Sequence, residues 1–348
     1  VRILFFSERL RAPYDEGIKN VAVHLIQALA AEHEVLALTS GGLEDAEYGI
    51  ENVDVNRLLL SAQLRRIIWR FRPQAIVYLP TACGTVFSFV RARMLRFYGR
   101  GACTALITLQ PRHYTAWGKL LIGRLAPDWV LAQSARTSAG LRALGCRTAL
   151  LPPAVDMQRF RPASSVEKAA LRGKYGVPGA ATVVTHVGHL KGKRNLSHLL
   201  VLQVTGGYHT IVVGSTSTEQ DEALKETLRR AQVTVMDTYV TNIADIYRLS
   251  DVYLFLAEED TAAIELPLSV LEAMACNLPV ICTPFGGLPD FFSEGDGLFY
   301  WRGQAELCDV VKAAVSAPCT TRELVKSRTW SAAAQTLVHL LQENEVGV

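Results

Sequence analysis

A rhythm limits what this chain can fold into. Short apolar runs alternate with segments whose apolar residues recur at helical spacing, and the alternation is played twice. In the first half the runs are RILFF (2–6), HEVLALTS (33–40), AIVYLP (75–80), TALITLQ (104–110), DWVLAQS (128–134) and TALLPP (148–153). Between them, IKNVAVHLIQALAA (18–31) places Val21, Leu25, Ile26 and Leu29 on one helical face, and RRIIWRF, SFVRARMLRFY and TSAGLRALG repeat the pattern. Runs this apolar are strands buried on both faces, and their spacing demands a parallel sheet covered by helices. After the polar, Pro- and Gly-bearing stretch DMQRFRPASSVEKAALRGKYGVPGAA the rhythm restarts, with TVVTHVG (182–188), HTIVVGS (209–215), VTVMDTYV (233–240), DVYLFLA (251–257) and PVICT (279–283) as strands. A chain of 348 residues can bury two cores. The expected architecture is therefore α/β, with two Rossmann-like doubly wound domains facing a central cleft. They span 1–160 and 161–325, and a helix at 326–348 packs back on the first.

Charge separates the halves. Residues 1–160 carry 20 Lys and Arg against 12 Asp and Glu, whereas 161–348 carry 16 against 21. No acid occurs between Asp54 and Asp128, an interval with 12 basic residues. Such a block attracts anions. Its arginines fall in helices without a nucleic-acid motif, so nucleic acid is not the expected partner. FSFVRARMLRFYGRG (87–101) interleaves aromatic and Arg residues, as a helix at an anionic membrane surface does, and equally as a helix packed on its own sheet with Arg in water. No apolar run reaches the length of a membrane span, and the opening VRILFFSERLRAPYDEG reads as a strand rather than a signal peptide. Seven scattered cysteines with no CxxC pair suggest neither a disulfide framework nor a zinc site. The expected location is the cytoplasm, peripheral at the inner face of the membrane.

In open parallel sheets ligands bind beyond the carboxyl ends of the strands, so chemistry belongs in the strand-to-helix loops. THVGHLKGKRNL (185–196) ends a strand at Gly188 and presents His189, Lys191, Lys193 and Arg194, with Asn195 or Ser197 starting the next helix. Cations before a helix N-terminus make a phosphate site. LAEEDTAAIELPLSVLEAM (256–274) places Glu265 just before a helix whose first turn takes Pro267. Glu272 lies a turn and a half inside an otherwise apolar stretch. If buried it needs a donor partner, which a ribose diol supplies. TPFGGLPD (283–290) leaves a strand through Gly286 and Gly287, which let backbone N–H groups approach a ligand. The first half offers Gly17 at the start of its first helix, and Gln110, Arg112 and His113 at a strand end.

Taken in order, these stretches resemble the retaining GT-B nucleotide-sugar glycosyltransferases of family 4. VGHLKGKRN is similar to the family's VGRL…KG loop. SDVYLFLA…ELPLSVLEAMACNLPVICTPFGGLPD…GDGLF is similar to its acid-containing donor stretch, LLPPAVDMQRFRP to the segment closing the first domain, and TWSAAAQTLVHLL to the crossing tail helix. The resemblance implies Glu272 as the ribose acid and Lys193 and Arg194 on the donor pyrophosphate. It implies backbone at Leu266, Pro267 and Leu268 on sugar and phosphate, Gly17 near the same phosphate, and Gln110 where many members carry His. The family's first acid falls on Ile264. Either Glu265, one residue later, takes its role or the sugar contacts differ. The usual Arg after VG is His189.

The implied activity is transfer of a sugar from a nucleoside diphosphate sugar, UDP rather than GDP, to a glycan, lipid-linked or small-molecule acceptor, with retention, in cell-surface polysaccharide or glycolipid synthesis. No cofactor or metal is expected. Two other readings are a non-catalytic nucleotide-sugar-binding partner subunit and a nucleotide-sugar epimerase on the same scaffold.

Overall fold

The computed structural model describes residues 1–81, 83–303 and 306–343. It divides into two compact units: Val1–Pro153 together with the helix Trp330–Gln342, and Ala154–Thr329. The division falls at 153/154 where the sequence suggested 160/161. Val155 and Phe160 are buried in the second unit's core, and the Val155 N–H donates to the Arg328 carbonyl (2.9 Å). Residues 344–348 of the expected tail lie outside the described residues.

The first unit is built on seven strands: β1 (Arg2–Ser7), β2 (Glu34–Thr39), β3 (Ile50–Asn52), β4 (Ala75–Leu79), β5 (Cys103–Ile107), β6 (Trp129–Ala132) and β7 (Thr148–Leu150). They pair in parallel in the order β3-β2-β1-β4-β5-β6-β7. The central strands β1 and β4 are buried on both faces from Ile3 to Phe6 and from Ala75 to Leu79, which is why they read as unbroken apolar runs. Helices enter through side-chain caps. Ser61, Thr85, Thr115 and Ser134 each accept from the backbone N–H three residues on, satisfying donors a helix start leaves open. The helix Trp330–Gln342 lies on Gly17–Ala30, with Trp330 stacked on His24 (5.0 Å between centroids) and the Trp129 indole N–H donating to the Leu340 carbonyl (2.7 Å).

The second unit has six parallel strands: β8 (Thr182–Gly188), β9 (Tyr208–Gly214), β10 (Thr234–Met236), β11 (Val252–Phe255), β12 (Val280–Cys282) and β13 (Leu298–Tyr300), in the order β10-β9-β8-β11-β12-β13. In each sheet the order reverses between two neighbours, β1 and β4 in the first, β8 and β11 in the second. The crevice at the carboxyl ends of such a pair is where doubly wound sheets take ligands.

Candidate active site in the second unit

The loop after β8 differs from its expected form in one respect. It does not run straight into a helix. Two short 3-10 turns, Gly192–Arg194 and Leu196–Leu199, come first, and the helix begins only at Leu200. Asn195 causes the break. Its backbone is left-handed (φ 54°) and its side-chain amide donates to the Leu256 carbonyl (3.0 Å), tying this loop to the end of β11.

The turn buries Arg194, which is 5% exposed. Its guanidinium lies over the Gly188 Cα and over the Phe255 ring, 5.3 Å from the centroid. A Cβ on Gly188 would stand 3.1 Å from the Arg194 Nη1 and 3.3 Å from its Cζ, so the strand must end in glycine for the arginine to lie there. The Arg194 backbone N–H donates to the Lys191 carbonyl (3.0 Å), but among the described residues no hydrogen bond or ion pair reaches its guanidinium, and its Nε is buried without a partner. Burial lowers its pKa to about 10. A buried charge with no opposite charge beside it costs several kcal/mol, and an anionic ligand removes that cost.

His186, two residues back on the same face of β8, shares the place. Its Nδ1–H donates to the Leu254 carbonyl (2.9 Å), so Nε2 carries the lone pair, and that atom is buried without a partner, 3.1 Å from where a Gly188 Cβ would be. Burial first, and then the Arg194 charge, depress its pKa to about 3. His186 is neutral at physiological pH. Sequence reasoning passed over it, because a single His in a Val-rich strand reads as core; its position two residues before a strand-ending Gly was the available signal.

Lys193 behaves differently. It is half exposed, pairs with Glu259 (2.8 Å) and donates to the Thr261 hydroxyl (2.9 Å). The ammonium expected to hold a phosphate is thus held by a carboxylate of the loop after β11. His189 is half-buried and Lys191 exposed.

That second loop leads into the helix Leu268–Ala275, with Pro267 as its N-cap residue rather than inside its first turn; the Pro267 carbonyl accepts from the Val270 N–H (3.1 Å). Ile264, where the resemblance places an acid, is buried, and Glu265 beside it is 1% exposed. The glycine pair fixes Glu265 in place. Gly286 has φ 54°, and a Cβ there would stand 2.4 Å from the Glu265 carbonyl oxygen. The Gly287 N–H, expected to face a ligand, donates instead to that carbonyl (2.8 Å).

Glu272 is half-buried, and its partner is Tyr247, whose hydroxyl donates to Oε2 (2.7 Å). Burial raises the carboxyl's pKa above its ordinary value, against the Tyr247 hydrogen bond and the Arg159 charge. Among the described residues no hydrogen bond reaches the other oxygen, Oε1. Tyr253 joins the two loops. Its hydroxyl donates to the Val187 carbonyl (3.2 Å), is hydrogen-bonded to Ser269, and lies in electrostatic range of both Arg194 and Glu272. The cationic turn and the acidic helix therefore converge at the carboxyl ends of β8 and β11. An anion at Arg194 and hydroxyl donors at Glu272 are what this arrangement can hold.

Gly17, Gln110, Arg112 and His113 lie in the first unit. Gly17 opens the helix Gly17–Ala30 behind an uncapped Glu16, which pairs with Lys19 (3.9 Å) instead of facing outward unneutralised. The Gln110 carbonyl accepts from the Thr108 hydroxyl (3.0 Å), and Arg112 and His113 are exposed, with Arg112 Nη1 3.5 Å from the Cys83 Sγ.

Residues 181–317 match the family described as Glycosyl transferases group 1. The second unit is a group 1 glycosyltransferase domain. Among curated proteins the chain is 29% identical over 182 residues to a D-inositol 3-phosphate glycosyltransferase of Segniliparus rotundus, covering 47% of this chain and 39% of that protein. It is 25% identical over 361 residues to the sulfoquinovosyl transferase SQD2 of Arabidopsis thaliana, covering 93% of this chain and 68% of that one. The chain thus spans about two fifths of the first relative's length. Among solved structures, Anabaena HepE in complex with UDP superposes with a TM-score of 0.77 at 15% identity, over 99% of this chain and 100% of that one. The fold of the chain is that of the GT-B glycosyltransferases. Among the described residues no helix is long and apolar enough to cross a membrane.

Proposed function

We propose that the protein is a glycosyltransferase that moves a sugar from a nucleoside diphosphate sugar, with retention at the anomeric carbon, and that UDP is the carrier. The observation that carries this reading is the buried, unpaired guanidinium of Arg194 at the carboxyl end of β8 in a group 1 domain. The bond from the anomeric carbon to the diphosphate breaks, a bond to the acceptor oxygen forms on the same face, and the acceptor's proton passes to the departing diphosphate. Charge gathers on the diphosphate as it leaves, and donors fixed in advance at that point lower the barrier. Arg194 is so fixed. Lys193 joins it on exchanging Glu259 for phosphate oxygen, and Glu272 accepts the ribose hydroxyls. Binding of UDP by HepE and the glycosyltransferase relatives support the donor assignment.

The acceptor is taken up by the first unit. Its arginines favour an anionic or lipid-linked molecule presented at a membrane surface in polysaccharide or glycolipid synthesis. The helix Ala116–Leu125 supports this better than the helix Val86–Tyr98. On the latter Phe89, Leu95 and Tyr98 are buried and Phe87 and Phe97 exposed, whereas on the former Trp117, Leu120 and Leu121 are exposed together, Trp117 by 77%. Thermal shifts with UDP, GDP, ADP and their glucose conjugates test the donor, because a ligand that binds the native state raises its stability. UDP-glucose is expected to give a larger shift than GDP-glucose, and the shift is expected to vanish in Arg194→Met. A full shift in that variant removes the proposal.

A further inference from the structure

We infer that the first unit carries a second ligand site, at the amino end of its sheet, that takes a phosphorylated polyhydroxylated ring. A cavity of about 760 Å³ opens there, within the usual size range of small-molecule sites. The sheet and one helix build it. Arg2 of β1 and Glu34 of β2 are register partners, and parallel partners point to the same face. Leu36 and Glu51 follow on that face, because Leu36 lies two residues beyond Glu34 and Glu51 pairs with Leu38. The helix Ala62–Phe71 supplies Arg66 and Arg70, four residues apart and hence stacked along one side of the helix, with Ile67 and Phe71 as an apolar floor. Arg72 ends that helix in the left-handed conformation, and the Arg2 Nε donates to its carbonyl (2.9 Å), which pins the Arg2 guanidinium at the rim.

Four arginines and two glutamates thus line one cavity, and among the described residues no ion pair is made by any of the six. Their chemistry selects a ligand of mixed character. Paired arginines bind phosphate oxygens well. Glu34 and Glu51 repel a plain polyanion but accept hydroxyl hydrogens, and Phe71 and Ile67 suit the apolar face of a sugar or cyclitol ring. The same headgroup could arrive free or on a lipid; Trp69, on the same helix, is exposed and stacked by Arg65 (4.8 Å) and Arg100 (5.5 Å). The site is independent of the donor chemistry proposed above, because every lining residue belongs to the first unit.

The test is calorimetry on the full chain with glucose 6-phosphate, with glucose and inorganic phosphate as controls, alongside sedimentation with phosphatidylcholine vesicles with and without phosphatidylinositol 4-phosphate. Wild type and Arg194→Met are expected to bind alike. The exposed pair Arg66→Ala/Arg70→Ala is expected to weaken binding by about tenfold or more. Glu34→Gln/Glu51→Gln is expected to weaken glucose 6-phosphate while leaving inorganic phosphate unchanged or tighter. Saturable binding of the soluble probe assigns the free ligand. The same variant pattern seen only with phosphoinositide vesicles assigns the headgroup. No binding of either probe at millimolar concentration overturns the inference, as does binding that Arg66→Ala/Arg70→Ala leaves intact, binding that Arg194→Met abolishes, or inorganic phosphate binding as tightly as the sugar phosphate.

Discussion

Both units place an arginine by the carboxyl ends of the two strands where the sheet order reverses, and they treat it in opposite ways. In the first unit Arg91 is neutralised: Glu8, just past β1, receives both the Arg91 Nη1 and the Tyr78 hydroxyl of β4, and the Arg91 Nε donates to the Arg57 carbonyl (2.8 Å). In the second, Arg194 is more deeply buried and has a histidine lone pair and aromatic rings for neighbours, and among the described residues no acid pairs with it. A satisfied cluster of this kind holds a structure together, whereas a buried unpaired charge holds a place for something else. The contrast marks Arg194, and not Arg91, as the arginine with room for an anionic partner.

Replacing the two arginines gives the sharpest way to break that contrast. Arg194→Met is expected to cut turnover by about 10²–10³-fold with no loss of stability, since it removes a charge that folding left unpaired. Arg91→Met leaves Glu8 short of its cation and is expected to destabilise the first unit by about 1–3 kcal/mol. Urea unfolding and steady-state assays of the pair decide it. An unfolded Arg194→Met together with a neutral Arg91→Met would reverse the assignment.

A smaller effect is expected at Glu272. Its carboxyl pKa lies above the ordinary value and its ionised form accepts hydroxyls, so donor affinity should fall as pH drops through that raised value. Glu272→Gln should bind the donor about tenfold more weakly and lose this pH dependence, both read by calorimetry across pH.

His186 tests the site through stability. Its pKa is near 6.5 when unfolded and about 3 in the fold, so between these values the unfolded chain binds the extra proton. Stability should therefore decline as pH falls through that window, by up to about 1.4 kcal/mol per pH unit. His186→Gln should flatten the decline in urea titrations taken from neutral to mildly acidic pH. An unchanged slope would mean the ring is charged in the fold.

The smallest change concerns Glu259. Its ion pair with Lys193 is half exposed and worth at most about 1 kcal/mol. Glu259→Gln should lower the donor KM by no more than about fivefold, and the gain should fade at high salt. A raised KM would show that Glu259 helps the ligand instead of competing with it.

Much of the fold was legible because buried parallel strands leave a plain trace: Ile3–Phe6 and Ala75–Leu79 are apolar at every position. The unit boundary was less so, since Val155 and Phe160 sit in a stretch of linker composition and are claimed by a core formed far along the chain. In the site, Arg194, Lys193 and Glu272 could be named from their loops alone. Their partners could not. Tyr247 lies 25 residues before Glu272 on another helix, Glu259 lies 66 residues after Lys193, and the left-handed turn at Asn195 depends on the Leu256 carbonyl just past β11. Contacts set by the sheet order are invisible to spacing. The same holds for the Gly287 N–H, whose partner is the carbonyl of a residue in another loop.

The helix Trp330–Gln342 carries one more consequence. Because it completes the first unit, that unit is discontinuous in sequence, and all of Ala154–Thr329 is synthesised before its final piece exists. Domains ordinarily fold in the order they leave the ribosome. Here the later-encoded domain can finish first, while the helix Gly17–Ala30 waits with its apolar flank uncovered until Trp330–Gln342 emerges.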